Sequence, residues 1–202
     1  MRAMPLVFAV VYALAAAGPS EAGPGPGPEP APTTAAAAPA ALRHIRPRDT
    51  VAALFLRFGQ DKSARFREIV RALERSNVIV YVEVRQASSH PVGGGLTFIG
   101  EANGVRWVRA MVDSGTPSHL ATCQDIVRLT SILGHELQHA VEASQAPTMQ
   151  DVGEFERYFR SIGIAREPKI LDTLAARQTG KRVADELRGM AQPRGVAASA
   201  AN

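Results

Sequence analysis

Residues 133–142 read Leu-Gly-His-Glu-Leu-Gln-His-Ala-Val-Glu, and the predicted helix that contains them decides the fold. With 3.6 residues per turn, a set of apolar residues in this helix falls on one buried stripe. The set is Ile126, Leu129, Leu133, Leu137 and Ala140. His135 and His139 lie almost opposite the stripe, so the helix can pack into a core on one side and present both histidines to a cleft on the other. Thr122 and Asp125 predict a capping box at its start.

The segment from His135 to His139 has the pattern His-Glu-x-x-His. Two imidazoles four residues apart on a helix can reach one zinc ion, and Glu136 between them can take a proton from a water molecule. The pattern therefore predicts zinc-dependent hydrolytic chemistry with Glu136 as the catalytic residue. The alternative is a pair of solvated histidines on an exposed helix face, but a glutamate directly after the first histidine would have no structural purpose there.

The stretch LGHELQHAVE resembles the active-site helix of zincin metallopeptidases, in which the positions around the histidines are uncharged and mostly apolar. It is also similar to a group of uncharacterised exported bacterial proteins with the same helix. The zincin resemblance implies a zinc cofactor, a twisted sheet above the helix, and an edge strand that binds the substrate backbone by strand addition. It also implies a third, acidic ligand from a helix that follows the motif.

A catalytic zinc site needs three protein ligands and one open position, so the two histidines require a partner. Four acidic residues after the motif are candidates: Glu142, Glu154, Glu156 and Asp172. Glu142 shares the histidine face but lies nearly a turn beyond His139, which favours supporting a ligand over binding the metal. Glu154 stands three residues after Asp151, the spacing of a capping box.

Asp172 is the preferred third ligand and Glu156 is the alternative. Asp172 is predicted on the same face of the last helix as a stripe of mostly small residues, which would turn its carboxylate toward the interior. The stripe is Ala176, Gly180, Val183 and Leu187. A simple role as an N-cap competes with this interpretation, because Asp is common at helix starts. Glu156 lies beside the apolar stripe of its own helix and could turn inward, or it could remain solvated.

The order of predicted elements indicates an α+β fold, a small zincin-like domain. An N-terminal helix and a three-stranded, mostly antiparallel sheet are expected over the active-site helix, and further helices follow it. The helices are predicted at 63–75, 151–162 and from 168 or 172 to 188, and the strands at 78–84, 96–102 and 105–112. Asn103-Gly104 predicts a tight hairpin between the last two strands. Residues 88–95, which end in three glycines, are expected to form a flexible loop.

The first 17 residues have the layout of a secretory signal peptide, with Arg2, an apolar stretch and small residues at the end. Cleavage could occur as late as residue 22. Residues 18–46 are rich in Gly, Pro and Ala and are expected to form a disordered linker, with a catalytic domain at 47–190 and a disordered tail at 191–202. These features predict a periplasmic or secreted protein without stable membrane insertion, unless the N-terminal segment remains uncleaved as an anchor.

The composition restricts the other possibilities. Cys123 is the only cysteine, so no intramolecular disulfide can form, and a buried or half-buried position without a catalytic role is expected for it. The net charge is +4, and the arginines, among them Arg106 and Arg109, form no dense cluster with aromatic residues. Nucleic acid is therefore not an expected partner, and solvated helix faces are expected to carry most of these charges.

The predicted function is that of an exported zinc-dependent peptidase acting on peptides or proteins, with His135, His139 and Asp172 as metal ligands. One alternative is a noncatalytic zincin-fold protein of the envelope with a structural or vestigial zinc site. Another is the zinc-dependent hydrolysis of a non-peptide amide. Candidate donors to the oxyanion of the reaction, none of them in a recognisable motif, are Tyr158, Arg177, His119 and His90. The sequence gives no indication of the oligomeric state.

Overall fold

The computed structural model describes residues 42–85, 93–115, 122–164 and 172–191. The predicted signal peptide, His90, His119 and most of the linker and tail lie outside these residues. The elements are β1 (Ile45–Pro47), α1 (Thr50–Lys62), α2 (Ala64–Glu74), β2 (Val78–Arg85), β3 (Gly93–Ala102), β4 (Val105–Asp113), α3 (Cys123–Gln145), α4 (Val152–Ile162) and α5 (Leu174–Ala191). The α+β class is confirmed, with five helices and one four-stranded sheet in the described residues.

The sheet has the order β1-β2-β4-β3 and is mixed, so the prediction of three mostly antiparallel strands was wrong. β2 runs parallel to both β1 and β4, and only the β3–β4 hairpin is antiparallel. The hairpin turn forms as expected, with Asn103 and Gly104 both at positive φ. The hairpin docks onto β2 through its second strand, and this placement leaves β3 at the edge of the sheet.

Two elements at the start of the domain were missed. β1 is only three residues long and crosses the predicted boundary between linker and domain. Pro47 suits an edge strand because its missing N–H leaves no ladder bond unmade. α1 begins after Asp49, whose carboxylate accepts from the N–H of Ala52. Its buried side is formed at helical spacing by Ala52, Phe55, Leu56 and Gly59, a pattern that the sequence does contain.

The long helix α3 is central to the domain. Four of the five residues of its predicted stripe, Leu129, Leu133, Leu137 and Ala140, have no exposed surface, and Ile126 is partly buried. Thr122 caps its start by accepting from the N–H of Asp125, as predicted. The other side of the helix is covered too, because α5 packs closely against it. A Cβ added at Gly180 of α5 would lie 3.2 Å from the Cβ of His135.

Arg106 on β4 is one of the most buried side chains, whereas most of the arginines were expected to be solvated. Its guanidinium pairs with Glu101 of β3 at 2.6 Å. It also donates to the carbonyls of Ala143 and Pro147, at the end of α3 and just beyond it. Unsatisfied carbonyls at a helix C-terminus favour a cation, so this buried pair joins the hairpin to the end of α3. Arg109 also lies on β4, on its exposed side.

The remaining expectations are met in part. In α4, Phe155 and Phe159 of the predicted stripe are buried, whereas Val152 and Ile162 are exposed. The three glycines expected in a loop begin β3. Cys123 is exposed, contrary to prediction, because it is the first residue of α3 and lies outside its buried face. Within the described residues, no helix is long and apolar enough to cross a membrane.

Candidate metal centre

Helix α3 brings His135 and His139 together in the middle of the domain. Their Nε2 atoms lie 3.2 Å apart, and the rings meet edge to face. The two side chains differ in exposure, at 24% for His135 and 5% for His139. His139 is buried against the ring of Phe159 from α4, so only His135 borders the cleft that the sequence predicted for both.

Asp172 completes a cluster with the two histidines. Its Oδ1 lies 3.4 Å from Nε2 of His135 and 3.8 Å from Nε2 of His139. It does not lie on the stripe of α5 as predicted, because the helix begins only at Leu174. Thr173 is the N-cap, since its hydroxyl accepts from the N–H of Ala176. The carboxylate therefore reaches the histidines from the segment just before the helix.

The two oxygens of Asp172 have different surroundings. Oδ2 accepts a hydrogen bond from Nε of Arg177, one turn into α5. Oδ1, the oxygen nearer the histidines, is buried and has no hydrogen-bond partner among the described residues. A buried carboxylate oxygen without a partner is costly, so a bound cation is the natural explanation for its position. The three side chains lie close enough together to hold a metal ion.

Glu142 lies behind the cluster and contacts His139 and Thr173. One carboxylate oxygen lies 2.8 Å from Nδ1 of His139, and the other accepts from the hydroxyl of Thr173 at 2.7 Å. A carboxylate on the far nitrogen of a histidine fixes the ring and leaves Nε2 free to bind a metal. Since Thr173 precedes α5 directly, Glu142 also holds the segment that carries Asp172.

Glu136 lies between the two histidines in sequence and is almost completely buried. Burial raises the pKa of its carboxyl group to about 7, with Asp172 adding to this effect and His139 opposing it. Burial and the neighbouring His139 both lower the pKa of His135, although Asp172 and Glu142 act in the opposite direction. His135 is therefore kept neutral, which is the form of imidazole that binds metals.

An open cleft of about 420 Å³ gives access to this centre. It is lined by Gly94, Ser131, Ile132, His135, Glu136, Arg177, Gly180 and Lys181. Gly94 of β3 comes very close to α3, because a Cβ added there would lie 2.6 Å from Oε1 of Glu136. The start of the edge strand thus forms one wall of the cleft, and α5 forms the other.

Several candidates do not join the cluster. Glu156, the alternative third ligand, has an exposed side chain paired with Arg160 at 2.9 Å. Glu154 has the predicted capping role, since its N–H donates to Asp151. The hydroxyl of Tyr158 donates to the carbonyl of Glu142 and is already engaged. Of the four predicted oxyanion donors, Arg177 borders the cleft, while His90 and His119 lie outside the described residues.

Two residues of the centre were missed from the sequence, Gly94 and Thr173. Thr173 could have been found as an N-cap beside Asp172, whereas no local signal connects Gly94 with Glu136. Comparisons with family models, with curated proteins and with solved structures found no significant match to this chain.

Proposed function

We propose that the protein is an exported zinc-dependent peptidase, with His135, His139 and Asp172 as zinc ligands and Glu136 as the catalytic residue. The observation that carries the proposal is the buried, unpartnered Oδ1 of Asp172 beside two Nε2 atoms. Bonds of 2.0–2.2 Å in tetrahedral geometry would separate zinc ligands by about 3.3–3.6 Å. The separations of 3.2 and 3.4 Å that involve Nε2 of His135 lie close to or within this range, and the separation of 3.8 Å between Asp172 and His139 is slightly longer.

The donor set also favours zinc. Two imidazole nitrogens and one carboxylate match the ligands of catalytic zinc sites in which a fourth position stays open. Calcium and magnesium prefer a full set of oxygen ligands, which this cluster does not offer. A zinc ion held here would act as a Lewis acid and lower the pKa of a water molecule to about 7.

Glu136 is placed to move the proton in such a reaction. Its carboxyl lies in the cleft wall beside His135, and a pKa of about 7 suits a group that takes up a proton and releases it near neutral pH. In the proposed reaction Glu136 accepts the proton of the attacking water. It then returns the proton to the leaving amine. Asp172 and Arg177 stay paired, so the ligand geometry is held throughout.

The position of β3 supports a peptide as substrate. β3 lies at the edge of the sheet, and in the described residues it pairs only with β4. An extended peptide can add to a free edge strand through main-chain hydrogen bonds. Because Gly94 on this strand touches Glu136, a peptide bound along the edge would pass the catalytic carboxylate. Export is proposed from the N-terminal sequence, which has the layout of a signal peptide.

Zinc content and hydrolysis, measured on the same variants, test the proposal. The wild type should bind one zinc per chain and hydrolyse members of a mixed peptide library. Glu136→Gln should keep the zinc and lose hydrolysis, by about 10²–10⁴-fold. His135→Ala should lose both. His44→Ala is the matched control, because His44 bonds to the carbonyl of Leu73, away from the site, and both properties should survive.

Two results would contradict the proposal. A wild-type protein that stays metal-free after dialysis against excess zinc would exclude the metal site. A protein that binds zinc but hydrolyses no peptide would instead favour the noncatalytic envelope protein with a structural zinc. Hydrolysis that occurs only with non-peptide amides would keep the site and change the substrate.

A further inference from the structure

The α5 wall of the cleft is cationic. Arg177 and Lys181 both border the cleft, and Glu136 is the one carboxylate among the lining residues of the described chain. Arg177 and Lys181 lie four residues apart on α5, so their side chains are neighbours on the same side of the helix. A ligand entering the cleft therefore meets two positive charges on this wall.

The two cations differ in how far they are already engaged. The ammonium of Lys181 is bound to Asp185 at 2.6 Å, and its side chain is 78% exposed. Arg177 uses only Nε, which donates to Oδ2 of Asp172. Its two Nη atoms make no hydrogen bond within the described part of the chain, and its side chain is 32% exposed. The outer edge of this guanidinium is thus available at the cleft.

A guanidinium has two edges that can each bind a carboxylate. In Arg177 the edge that carries Nε is occupied by Asp172, and the pair of Nη atoms remains. Two parallel N–H donors match the two oxygens of a carboxylate and form stronger hydrogen bonds than neutral donors do. Lys181 would add a weaker, longer-range attraction, since Asp185 already neutralises it in part.

We propose that Arg177 is a specificity-determining residue that binds a carboxylate of the substrate close to the bond that is cleaved. The carboxylate belongs either to an acidic side chain or to the free C-terminus of the peptide. The inference rests on the proposed function and names the substrate class of that site. The competing role for Arg177 is to hold Asp172 in place and nothing more.

Binding by the zinc-loaded Glu136→Gln variant tests this without turnover. Three fluorescent peptides are compared by anisotropy: one with glutamates and an amidated C-terminus, one neutral with a free C-terminus, and one neutral and amidated. At least one of the first two should bind about tenfold tighter than the third. Which one does so identifies the source of the carboxylate.

Variants in the same background assign the effect to Arg177. Arg177→Met should reduce the preference to less than about threefold while the neutral peptide binds as before. Lys181→Met should have a smaller effect. Arg188→Met is the matched control, because Arg188 is exposed on the same helix and contacts Asp185 outside the cleft. The preference for the carboxylate-bearing peptides should also persist in metal-free protein, and Arg177→Met should abolish it in that protein too. Because no zinc is present in this measurement, a change in zinc affinity would not explain the loss.

Equal binding of the three peptides, or no binding of any, would overturn the inference. So would an Arg177→Met variant that weakens all peptides alike, because Arg177 would then act only through Asp172. Failure of the proposed function gives a different result. If the proposed function fails, the carboxylate-bearing peptides still bind more tightly but the wild type hydrolyses no peptide. If the wild type hydrolyses peptides but binds the three peptides equally, only this inference about Arg177 fails.

Discussion

At the scale of single residues, Gly94 is a position at the cleft that leaves no room for a side chain. An added Cβ would lie 2.6 Å from Oε1 of Glu136 and 2.7 Å from a methyl carbon of Ile132. We predict that Gly94→Ala lowers kcat/KM by about 10–100-fold, because a displaced base loses its alignment with the reacting atoms. Zinc content should stay at one per chain. The measurement is steady-state hydrolysis of a peptide together with metal analysis.

Gly95→Ala is the control for this prediction. Gly95 is the next residue on the same strand, and no atom of the described residues lies within 4 Å of a Cβ added there. Its kinetics should match the wild type. If the Gly94 and Gly95 variants had equal activity, the close contact between β3 and Glu136 would have no part in catalysis.

Glu142 offers a second test at this scale. It touches His139 and Thr173, and it is nearly fully buried. We expect Glu142→Gln to weaken zinc binding by about 10–100-fold, because an amide holds the imidazole less firmly than a carboxylate. Competition with a chelator of known affinity measures this. Glu156→Gln, which changes an exposed carboxylate, should leave the affinity unchanged, and an unaltered affinity in Glu142→Gln would remove Glu142 from the centre.

At the scale of elements, Glu186 connects α5 to the start of α2. Its carboxylate accepts from the hydroxyl of Ser63 and from the backbone N–H of Arg65, and a second oxygen accepts from Arg182. The donors from Ser63 and Arg65 lie at the N-terminus of α2, where a negative charge is favoured. Burial alone would raise the pKa of Glu186, but these hydrogen bonds outweigh it and hold the pKa below its ordinary value of 4.5.

The lowered pKa predicts how stability depends on pH. A carboxylate with a lowered folded pKa stabilises the fold above its unfolded value of about 4.5 and ceases to do so as the pH falls through the folded value. We expect Glu186→Gln to cost about 1–2 kcal/mol of unfolding free energy at pH 7. The difference from the wild type should shrink below pH 4.5. Urea unfolding at several pH values measures it.

Asp61→Asn is the control for this series. Among the described residues, the side chain of Asp61 forms only an exposed ion pair with Arg57 at 3.8 Å, so its replacement should change the unfolding free energy by less than about 1 kcal/mol. If Glu186→Gln lowered the unfolding free energy by the same amount at pH 3 and at pH 7, the carboxylate charge at the N-terminus of α2 would contribute nothing to stability.

For the molecule as a whole, the proposed metal ligands come from two segments that are distant in sequence. α3 supplies the histidines and the segment before α5 supplies Asp172, so a bound ion would link them. At a free zinc concentration 100 times Kd, this link adds about 2.7 kcal/mol to the unfolding free energy. For a domain of this size we expect Tm to rise by about 5–11 °C over the chelated protein.

Thermal unfolding with zinc or with a chelator measures this shift. The His135→Ala variant should show no shift, because it lacks a ligand. An equal rise of Tm in the wild type and in this variant would place the stabilising ion elsewhere on the protein.

How much the sequence could predict depends on how local each feature is. His135 and His139 are neighbours on any helix, so their proximity required no knowledge of the fold. The sequence predicts Asp172 as the third ligand from a position on the stripe of α5, yet Asp172 joins the cluster from the segment before that helix. The carboxylate of a residue that lies outside a helix or strand can approach the histidines from several directions. The position of Asp172 depends on the hydrogen bond between its neighbour Thr173 and Glu142.

The features that were missed depend on tertiary contacts. The partners of Arg106 lie on β3 and at the end of α3, and no pattern along β4 distinguishes Arg106 from Arg109. The position of Gly94 requires the order of strands, which places β3 at the edge beside α3. The sequence does not give the strand order, because a hairpin can join a neighbouring strand through either of its two strands. Hydrophobic patterns do not decide between them.

The late position of Asp172 has a consequence for the timing of synthesis. A growing chain contains the complete sheet and both histidines before residue 172 is made, so the domain can begin to fold without a finished centre. The proposed third ligand and the α5 wall of the cleft are synthesised together, after the sheet and the histidines. A chain that is cut short before residue 172 would therefore lack the proposed centre, and the proposed hydrolysis would begin only when α5 has docked.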